Sequence, residues 1–384
     1  MRDVIIFGAG QNGRFLNRLM QYTELDGEKY NPILFCDNNL PSGGYLDGLR
    51  VIEPAELLKR KEEIYISSEK FLDEIINQLR SMNLTNRVFF TPDYVFKLKK
   101  LSGDLPLGIP IDISKPRLER VEIMIAHHCN LNCKGCSAFA NVAEPELLSI
   151  EYFTKELIRL HELFTEIKYL KLFGGEPLLH PGLVDFIRTS RKLFPGAKID
   201  VHSNGLLVNK LDEEVFEEMS RLDVGFVFTL YPPTGKLQRL INEVLSRHNV
   251  EYKYMGPIYS FRKMVRKNSS LNSEDVYRNC LKCWGLEKGF LGCFHGFAEK
   301  RLEKMTGEPF RKNSDNHYEE EGLVNIFETD MDGWQINEYL NRPKIYCDSC
   351  EFMQWNKRVD EDKFFAWETG GVPLASDWIY EERS

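Results

Sequence analysis

The chain has 384 residues, of which 42% are hydrophobic and 28% are charged, and its formal net charge is −8. This length suggests two or three domains, and the acidic balance gives no support to a nucleic-acid-binding role. No apolar run approaches the roughly 20 residues of a membrane span. The start, MRDVIIFGAG, has only the apolar run VIIF before its first glycine, which is too short for the apolar core of a signal peptide. We therefore expect a cytoplasmic protein without a nucleic-acid or membrane partner.

The first segment, residues 1–101, has the order of a small nucleotide-binding-like module. The strand VIIF runs into Gly8, Gly10 and Gly13 of GAGQNG, an amphipathic helix follows, and a second strand ends in Asp37. Glycines at this spacing allow close approach to a phosphate at a helix N-terminus, and the acid lies near the position of a ribose contact. The segment predicts a Rossmann-like domain with these four residues as nucleotide contacts. A structural or docking module without a ligand is the alternative, because the motif alone is weak.

The second segment, residues 118–256, alternates strands with helices. The strand RVEIMIA leads into a cysteine-rich loop, and Ser149 is expected to cap the helix that follows. The next strand, IKYLKLF, ends in Gly174, Gly175 and Glu176. Repeated βα units imply an α/β fold with a parallel sheet, right-handed crossovers and chemistry at the carboxyl ends of the strands.

Three cysteines, Cys129, Cys133 and Cys136, lie in the run HHCNLNCKGCSAF. Thiolates packed this tightly indicate one metal centre; four would close a zinc or iron–sulfur site, and three leave one position open. A zinc knuckle is the alternative, although it usually uses paired C-x2-C units and a fourth ligand close by. Nine cysteines in a chain without a secretion signal favour metal ligation over disulfides.

The cysteine motif and the run LKLFGGEPLLHP together resemble the radical S-adenosylmethionine (SAM) enzymes. This resemblance covers the second segment and implies a partial (β/α)6 barrel of the TIM type. It implies that the three cysteines hold a [4Fe–4S] cluster whose open iron chelates SAM. It also implies that Gly174, Gly175 and Glu176 hold the methionyl amino group, and that Ser203 and Asn204, at the end of the third strand, contact SAM.

The residue before the third cysteine departs from the pattern of many relatives. Gly135 occupies this position, where those relatives have an aromatic residue that stacks on the adenine of SAM. The resemblance therefore implies that other side chains hold adenine here, and the sequence does not identify them.

The third segment contains five further cysteines and extends over residues 270–384: Cys280, Cys283, Cys293, Cys347 and Cys350. The run GLEKGFLGC predicts a hairpin with Lys288 and Gly289 at its turn. The pattern resembles the twitch or SPASM extensions of radical SAM enzymes, small α+β domains, and five cysteines suit a twitch domain with one auxiliary [4Fe–4S] cluster. Cys293, Cys347 and Cys350 are the expected ligands, and Cys280 and Cys283 compete for the fourth place. A zinc site from the two C-x2-C pairs is the alternative.

The resemblance also implies a reaction. Reductive cleavage of SAM would yield a 5′-deoxyadenosyl radical that abstracts hydrogen from a carbohydrate, cyclitol or nucleotide-linked sugar. An auxiliary cluster that accepts the second electron would make the enzyme an oxidoreductase that oxidises a carbinol. Epimerisation of such a substrate, radical modification of a ribosomal peptide and, from another class, a non-catalytic iron–sulfur scaffold are the alternatives.

The expected partners follow from this chemistry. They are a small-molecule or sugar-nucleotide substrate and a flavodoxin- or ferredoxin-type electron donor. The expected cofactors are SAM and two [4Fe–4S] clusters, with a nucleotide as a candidate ligand of the first segment. The sequence identifies no residue that acts directly on the substrate.

Overall fold

The computed structural model describes residues 1–22, 24, 28–97, 104–267, 271–308, 322–351 and 364–381. The predicted segment boundaries at residues 101, 270 and 384 lie outside these ranges. The described part of the chain forms two large sheets and two small two-stranded sheets. Within it, no helix combines the length and the apolar character needed to cross a membrane.

Seven strands form the N-terminal sheet: β1 (Arg2–Phe7), β2 (Tyr30–Cys36), β3 (Tyr45–Leu46), β4 (Leu49–Ile52), β5 (Glu63–Ile66), β6 (Val88–Phe90) and β7 (Ile109–Ile111). Their order across the sheet is β3-β4-β2-β1-β5-β6-β7. The five inner strands are parallel, and β3 and β7 pair antiparallel at the edges. The sheet thus continues past residue 101, because β7 belongs to it.

Helices lie against the N-terminal sheet: α1 (Gln11–Tyr22), α2 (Leu72–Ser81) and α3 (Asp93–Phe96). The side chains of β1 alternate between two apolar layers. Ile5 and Phe7 belong to the layer that contains the buried residues of α2, whereas Val4 and Ile6 belong to the layer that contains those of α1. A strand that is buried on both faces is typical of a parallel sheet with helices on each side.

The glycine motif forms the tight turn between β1 and α1. Gly8 has a φ of +100°, and a Cβ on Gly13 would lie only 1.8 Å from the carbonyl oxygen of Gly8. The first turn of α1 can therefore pack on the end of β1 only without a side chain at position 13. Gly10 differs, because a Cβ there would meet nothing within 4 Å.

The Asp37 carboxylate accepts hydrogen bonds from backbone N–H groups of the two turns that follow β1 and β2. One carboxylate oxygen accepts a hydrogen bond of 2.8 Å from the N–H group of Ala9, in the glycine turn. The other accepts hydrogen bonds from the N–H groups of Asn39 (2.8 Å) and Leu40 (3.2 Å). The carboxylate thus joins the ends of β1 and β2, and nucleotide binding by this site stays a prediction.

We expect Gly13→Ala to destabilise the N-terminal sheet by about 1–3 kcal/mol, because the added methyl group forces the turn away from α1. Gly10→Ala is the matched control, since its methyl group enters open space. Hydrogen exchange of the β1 amides under native conditions measures the effect. Equal losses of protection in both variants would contradict the close-approach explanation.

The rest of the described chain contains twelve strands: β8 (Arg117–Ala126), β9 (Glu166–Gly174), β10 (Lys198–Ser203), β11 (Val224–Thr229), β12 (Tyr252–Met255), β13 (Ser260–Arg262), β14 (Val265–Lys267), β15 (Trp284–Glu287), β16 (Phe290–Cys293), β17 (Leu323–Asn325), β18 (Phe364–Ala366) and β19 (Ile379–Glu381). The second sheet has the order β12-β11-β10-β9-β8-β15-β16-β17. From β12 to β15 these strands are parallel, and β16 and β17 pair antiparallel. Strands of the third predicted segment therefore extend the sheet of the second.

Eight helices accompany these strands: α4 (Ile150–Leu163), α5 (Leu183–Leu193), α6 (Glu213–Arg221), α7 (Pro232–Gly235), α8 (Gln238–Arg247), α9 (Ser273–Arg278), α10 (Phe294–Thr306) and α11 (Gly333–Leu340). The predicted cap of α4 is confirmed, because the Ser149 hydroxyl oxygen accepts a hydrogen bond of 3.2 Å from the N–H group of Tyr152. The predicted hairpin is also confirmed. Strands β15 and β16 pair antiparallel, and Lys288 and Gly289 have positive φ at the turn between them.

The two faces of the second sheet differ in polarity. One face packs on helices through apolar side chains such as Val121, Leu170, Val201 and Phe226. The intervening positions define the opposite face, which we call the inner face. Its side chains are largely polar or charged: Arg120, Glu122, Tyr169, Lys171, Asp200, His202 and Lys253. The sheet therefore has an apolar core on one side and a polar surface on the other.

Candidate active site

The three clustered cysteines lie in the loop that follows β8 at its carboxyl end. Burial raises the pKa of Cys129 to about 11 and that of Cys133 to about 12, and the nearby Cys136 thiol adds to both increases. Buried thiols that oppose one another's ionisation become thiolates when positive charge stabilises them, and a metal centre supplies such charge. The donor set therefore has the chemistry of a metal-binding loop.

Hydrogen-bond donors point at two of these sulfur atoms. The N–H group of Leu131 lies 3.4 Å from Cys129 Sγ, and the side-chain amide nitrogen of Asn204 lies 3.6 Å from it. The indole Nε1 of Trp367 lies 3.3 Å from Cys133 Sγ. N–H dipoles in these positions favour the thiolate over the thiol.

The Gly174–Gly175 turn packs directly on the start of the cysteine loop. A Cβ on Gly174 would lie 2.0 Å from the carbonyl oxygen of Ala126, and one on Gly175 would lie 2.2 Å from that of His128. The N–H group of Gly175 donates to the Ala126 carbonyl at 2.8 Å, and that of Glu176 donates to the His128 carbonyl at 2.9 Å. Side chains at the two glycines would separate the turn from the loop.

Glu176 is fully buried, and its carboxylate joins the ends of β9 and β10. One oxygen accepts hydrogen bonds from the Ser203 hydroxyl (2.8 Å) and the Leu178 N–H group (3.0 Å). The other accepts a hydrogen bond of 2.8 Å from the N–H group of Asn204. Burial raises the pKa of Glu176 to about 7, and these donors limit the increase. Both carboxylate oxygens of Glu176 thus accept hydrogen bonds from groups of the protein itself.

Asn204 continues the connection to the cysteine loop. Its side-chain amide donates a hydrogen bond of 2.7 Å to the side-chain oxygen of Asn130, the residue after Cys129. Its own side-chain oxygen accepts a hydrogen bond from the Leu206 N–H group, and its carbonyl accepts one from the Thr234 hydroxyl. The predicted SAM contacts and the first cysteine are therefore brought together by the structure.

The C-terminal segment, residues 364–381, lies against the cysteine loop. The N–H group of Lys134 donates to the Glu368 carbonyl at 3.0 Å, and that of Gly370 donates to the Asn132 carbonyl at 2.9 Å. These backbone hydrogen bonds pair the two stretches in the antiparallel sense. Residues 364–381 therefore belong to the candidate site.

Aromatic side chains of the C-terminal segment fill the space around the loop. A Cβ on Gly135 would lie 2.3 Å from the Phe365 ring, which occupies the volume that a side chain at 135 would need. Trp378 donates its indole N–H to the Cys136 carbonyl at 2.8 Å and stacks on Phe139 with 4.8 Å between ring centroids. Position 135 is thus adjoined by an aromatic ring from the C-terminal segment.

Tyr231 completes an aromatic wall beside the thiols. Burial, followed by the three thiols of the loop, raises the pKa of Tyr231 well above its usual range. Its ring stacks on Trp367, with 5.7 Å between centroids, and contacts the edge of Phe261 at 6.0 Å. The three aromatic rings thus lie side by side next to the cysteine loop.

The inner face carries a network of paired polar groups. Lys171 Nζ lies 2.7 Å from a Glu122 carboxylate oxygen, and the Tyr169 hydroxyl lies 2.7 Å from His202 Nε2. Burial lowers the pKa of His202 to about 2, and the nearby cations Lys171, Lys253 and Arg120 contribute to the decrease. His202 is therefore neutral at physiological pH.

Four of the five remaining clustered cysteines form a second thiol group: Cys280, Cys293, Cys347 and Cys350. Burial raises the pKa of Cys347 to about 11 and that of Cys293 well above its usual range, and the thiols of Cys350 and Cys280 add to both increases. Cys293 ends the strand that pairs with β15, which itself pairs with β8. One member of the group therefore lies on the same sheet as β8, which leads into the first cysteine loop.

Cys283 lies among charged side chains of the inner face. Arg120 Nη1 is 3.6 Å from its sulfur. Burial raises the pKa of Cys283 to about 12, and the Glu122 carboxylate adds to the increase. Of the two cysteines that compete for the fourth place, Cys280 contributes to the raised pKa of Cys293 and of Cys347, and it also contributes to that of Cys283.

Neither thiol group is arranged around one point. Among the residues that the structure describes, no three Cys, His, Asp or Glu side chains have the geometry to hold a metal ion. A zinc ion requires its ligands to converge at about 2.3 Å from one centre. An iron–sulfur cluster is larger, and its own sulfides hold the thiolates apart, so its ligands surround a wider space.

Comparison with known proteins places a family match on this site. Residues 123–245 match the family model "Radical SAM superfamily". These residues include the three cysteines of the loop, the Gly174–Glu176 turn and the Ser203–Asn204 turn. The match supports a radical SAM enzyme.

Curated relatives each match about a quarter of the chain. The GTP 3′,8-cyclase of Crocosphaera subtropica is 29% identical over 120 residues, which are 28% of this chain and 34% of that protein. The GTP 3′,8-cyclase of Petrotoga mobilis is 33% identical over 95 residues, which are 24% and 29%. Molybdenum cofactor biosynthesis protein 1 of Bos taurus is 30% identical over 96 residues, which are 24% and 14%. The chain spans about a third or less of the length of these relatives.

Solved structures are also similar to this chain. BtrN in complex with AdoMet and 2-DOIA has 17% identity and a TM-score of 0.36, and the match covers 66% of this chain and 99% of that one. Native anSMEcpe with bound AdoMet has 14% identity and a TM-score of 0.39, and the match covers 65% and 86%.

Three residues around the two thiol groups are absent from the sequence predictions. Trp367 and Trp378 reach the cysteine loop from the C-terminal segment, and His295 lies 3.0 Å from the Ser349 hydroxyl beside the second thiol group. The density of aromatic residues in FFAWETGGVPLASDWIY is a signal for the two tryptophans. No spacing rule singles out His295.

We expect Glu176→Gln to weaken SAM binding by about tenfold, because glutamine has one acceptor oxygen in place of two and leaves a buried donor unpaired, at about 1–3 kcal/mol. Glu166→Gln is the matched control. Glu166 is also buried, on β9, and accepts hydrogen bonds from the N–H groups of Ile167 and Gly196, away from the cysteine loop. Equilibrium dialysis of SAM with anaerobically reconstituted protein measures the difference, and equal weakening in both variants would indicate a general loss of structure.

Proposed function

We propose that this radical SAM enzyme abstracts hydrogen from a carbinol carbon of a carbohydrate, cyclitol or nucleotide-linked sugar and oxidises that carbon. The observation that carries the proposal is the placement of three features on one sheet. They are the cysteine loop with its two adjoining turns, the polar inner face, and the second group of four thiols. We also propose that the chain is divided into a Rossmann-like domain, a radical SAM barrel and a twitch-like extension.

The cysteine loop would hold the cluster that this family uses. Cys129, Cys133 and Cys136 supply three thiolates, and the turns at Gly175 and Asn204 supply backbone and amide groups for SAM. When bound, the cluster supplies the electron that cleaves SAM and releases a radical able to abstract hydrogen from carbon. The Tyr231 wall and the C-terminal segment would exclude water from this chemistry, and the Phe365 ring is the candidate contact for adenine.

The inner face supports a polar substrate. Arg120 and Lys171 offer cationic donors, Glu122 and Asp200 offer carboxylate acceptors, and Tyr169 offers a hydroxyl group. Groups of these kinds recognise the hydroxyl groups of a sugar or cyclitol through directed hydrogen bonds. An apolar peptide side chain would offer these groups no hydrogen-bonding partner.

The second thiol group supports oxidation. A carbinol that becomes a ketone loses one hydrogen atom to the radical, and then one electron and one proton. Cys280, Cys293, Cys347 and Cys350 provide the donor set for a second [4Fe–4S] cluster as the electron acceptor. Without such an acceptor, return of a hydrogen atom to the same carbon would make the reaction an epimerisation.

A nucleotide is the second candidate substrate, and two observations favour it. Two of the matched relatives are named as cyclases of GTP, a nucleotide. The inner face also carries three cations, Arg120, Lys171 and Lys253, against the two carboxylates of Glu122 and Asp200. Phosphate groups pair with such cations. The partial coverage of those relatives leaves their substrate as a proposal for this chain.

We expect Cys280→Ala to remove the second cluster and Cys283→Ala to leave it in place, because Cys280 is the proposed fourth ligand. After anaerobic reconstitution, roughly eight irons per chain should fall to roughly four in Cys280→Ala and stay at roughly eight in Cys283→Ala. Iron and sulfide analysis with zinc determination measures this. Iron loss in Cys283→Ala instead, or one zinc and no second cluster in the wild type, would contradict the assignment.

A deuterium label tests the reaction itself. With a substrate deuterated at the reacting carbinol carbon, we expect deuterium in 5′-deoxyadenosine and a ketone product, both seen by mass spectrometry. A variant with alanine at Cys129, Cys133 and Cys136 is the control and should release no 5′-deoxyadenosine. Unchanged release by this variant would exclude radical SAM chemistry. Label from a peptide Cα would make the enzyme a peptide-modifying one, and an inverted carbinol with one solvent hydrogen would make it an epimerase.

A further inference from the structure

A tryptophan from the C-terminal segment reaches one of the predicted cluster ligands. Trp367 Nε1 lies 3.3 Å from Cys133 Sγ, although the two residues are 234 positions apart in the chain. Cys133 is 6% exposed, so little water competes for its sulfur. A hydrogen bond is electrostatically stronger in such a low-dielectric setting than in water.

The indole is held in position from two directions. Its ring stacks on Tyr231 with an interplanar angle of 22°, and its backbone N–H group donates to the Tyr259 carbonyl at 2.8 Å. The next residue, Glu368, accepts a hydrogen bond from the N–H group of Lys134, which follows Cys133. The donor therefore meets the sulfur in a fixed arrangement, as a tuning interaction requires.

We propose that Trp367 raises the reduction potential of the cluster held by Cys129, Cys133 and Cys136 through its hydrogen bond to the Cys133 sulfur. This inference rests on the proposed function, since it assumes the cluster. One-electron reduction places additional negative charge on the cluster and its thiolates. An N–H dipole directed at a ligand sulfur stabilises the reduced form more than the oxidised form, so the potential rises. Trp367 is thus a positioning residue for the electron-transfer step.

Trp378 provides a matched comparison within the same segment. It is fully buried, and its indole N–H group donates to the Cys136 carbonyl oxygen at 2.8 Å. It therefore supports the loop near another ligand without a hydrogen bond to a sulfur. Replacement of either tryptophan by phenylalanine removes one indole N–H group and retains an aromatic ring.

The test is a potentiometric titration of the full-length, anaerobically reconstituted protein with dithionite as the reductant and redox mediators. Electron paramagnetic resonance follows the reduced clusters, and the signal that changes when SAM is added belongs to the cluster of the first loop. We expect Trp367→Phe to shift the midpoint potential of this signal to a more negative value. Trp378→Phe should leave it within the error of the wild-type value. Trp367→His retains a ring N–H donor and should recover part of the shift.

An unchanged or more positive midpoint in Trp367→Phe, or equal shifts in both phenylalanine variants, would overturn the proposal. So would the loss of the SAM-responsive cluster in both Trp367 variants, because the tryptophan would then act in structure alone. A wild-type protein that shows no SAM-responsive signal and releases no 5′-deoxyadenosine would overturn the proposed function itself. That result is distinct from a normal wild-type signal that Trp367→Phe does not shift.

Discussion

The organisation of the site depends on one buried carboxylate. Glu176 accepts hydrogen bonds from the Ser203 hydroxyl and the Asn204 N–H group, and the amide of Asn204 reaches Asn130 beside Cys129. The ends of two strands and the cysteine loop are thereby held in one arrangement. Burial disfavours the charged form of a carboxyl group, and it raises the pKa of Glu176 to about 7 although hydrogen-bond donors surround the carboxylate. The ordinary pKa of a glutamate side chain is 4.5, and below that pH Glu176 is protonated in both the folded and the unfolded chain. The stabilisation that this proton gives to the folded chain is lost as the pH rises through about 7.

A second constraint is the return of the chain to the loop that contains Cys129, Cys133 and Cys136. The C-terminal segment pairs with the loop through the backbone of Lys134 and Gly370, and its aromatic rings fill the space left by Gly135. Because Trp367 and Trp378 bond to different atoms of the loop, the segment affects both its shape and the environment of its sulfur atoms. The site therefore combines loops at the ends of central strands of the second sheet with a segment that lies outside that sheet.

The amino-acid sequence by itself determined the features that depend on neighbours along the chain. The Ser149 cap, the turn at Lys288 and Gly289 and the alternation of strands with helices follow from local hydrogen bonding and backbone conformation. The spacing of the three loop cysteines indicates a shared centre for the same reason, because a few residues of loop cannot separate them far. The polar inner face is also present in the sequence, as alternation within each strand.

Only the tertiary structure decided which distant groups meet. Cys280 and Cys283 are three positions apart, yet Cys280 contributes to the raised pKa of Cys293 and Cys347, whereas the Cys283 sulfur lies 3.6 Å from Arg120 Nη1. The contact between Trp367 and Cys133 likewise spans most of the chain. Asp37 has the position of a ribose-binding acid in the sequence, yet the fold turns its carboxylate to the N–H group of Ala9. Such contacts depend on the packing of whole sheets, where the burial of many side chains outweighs the preference of any single residue.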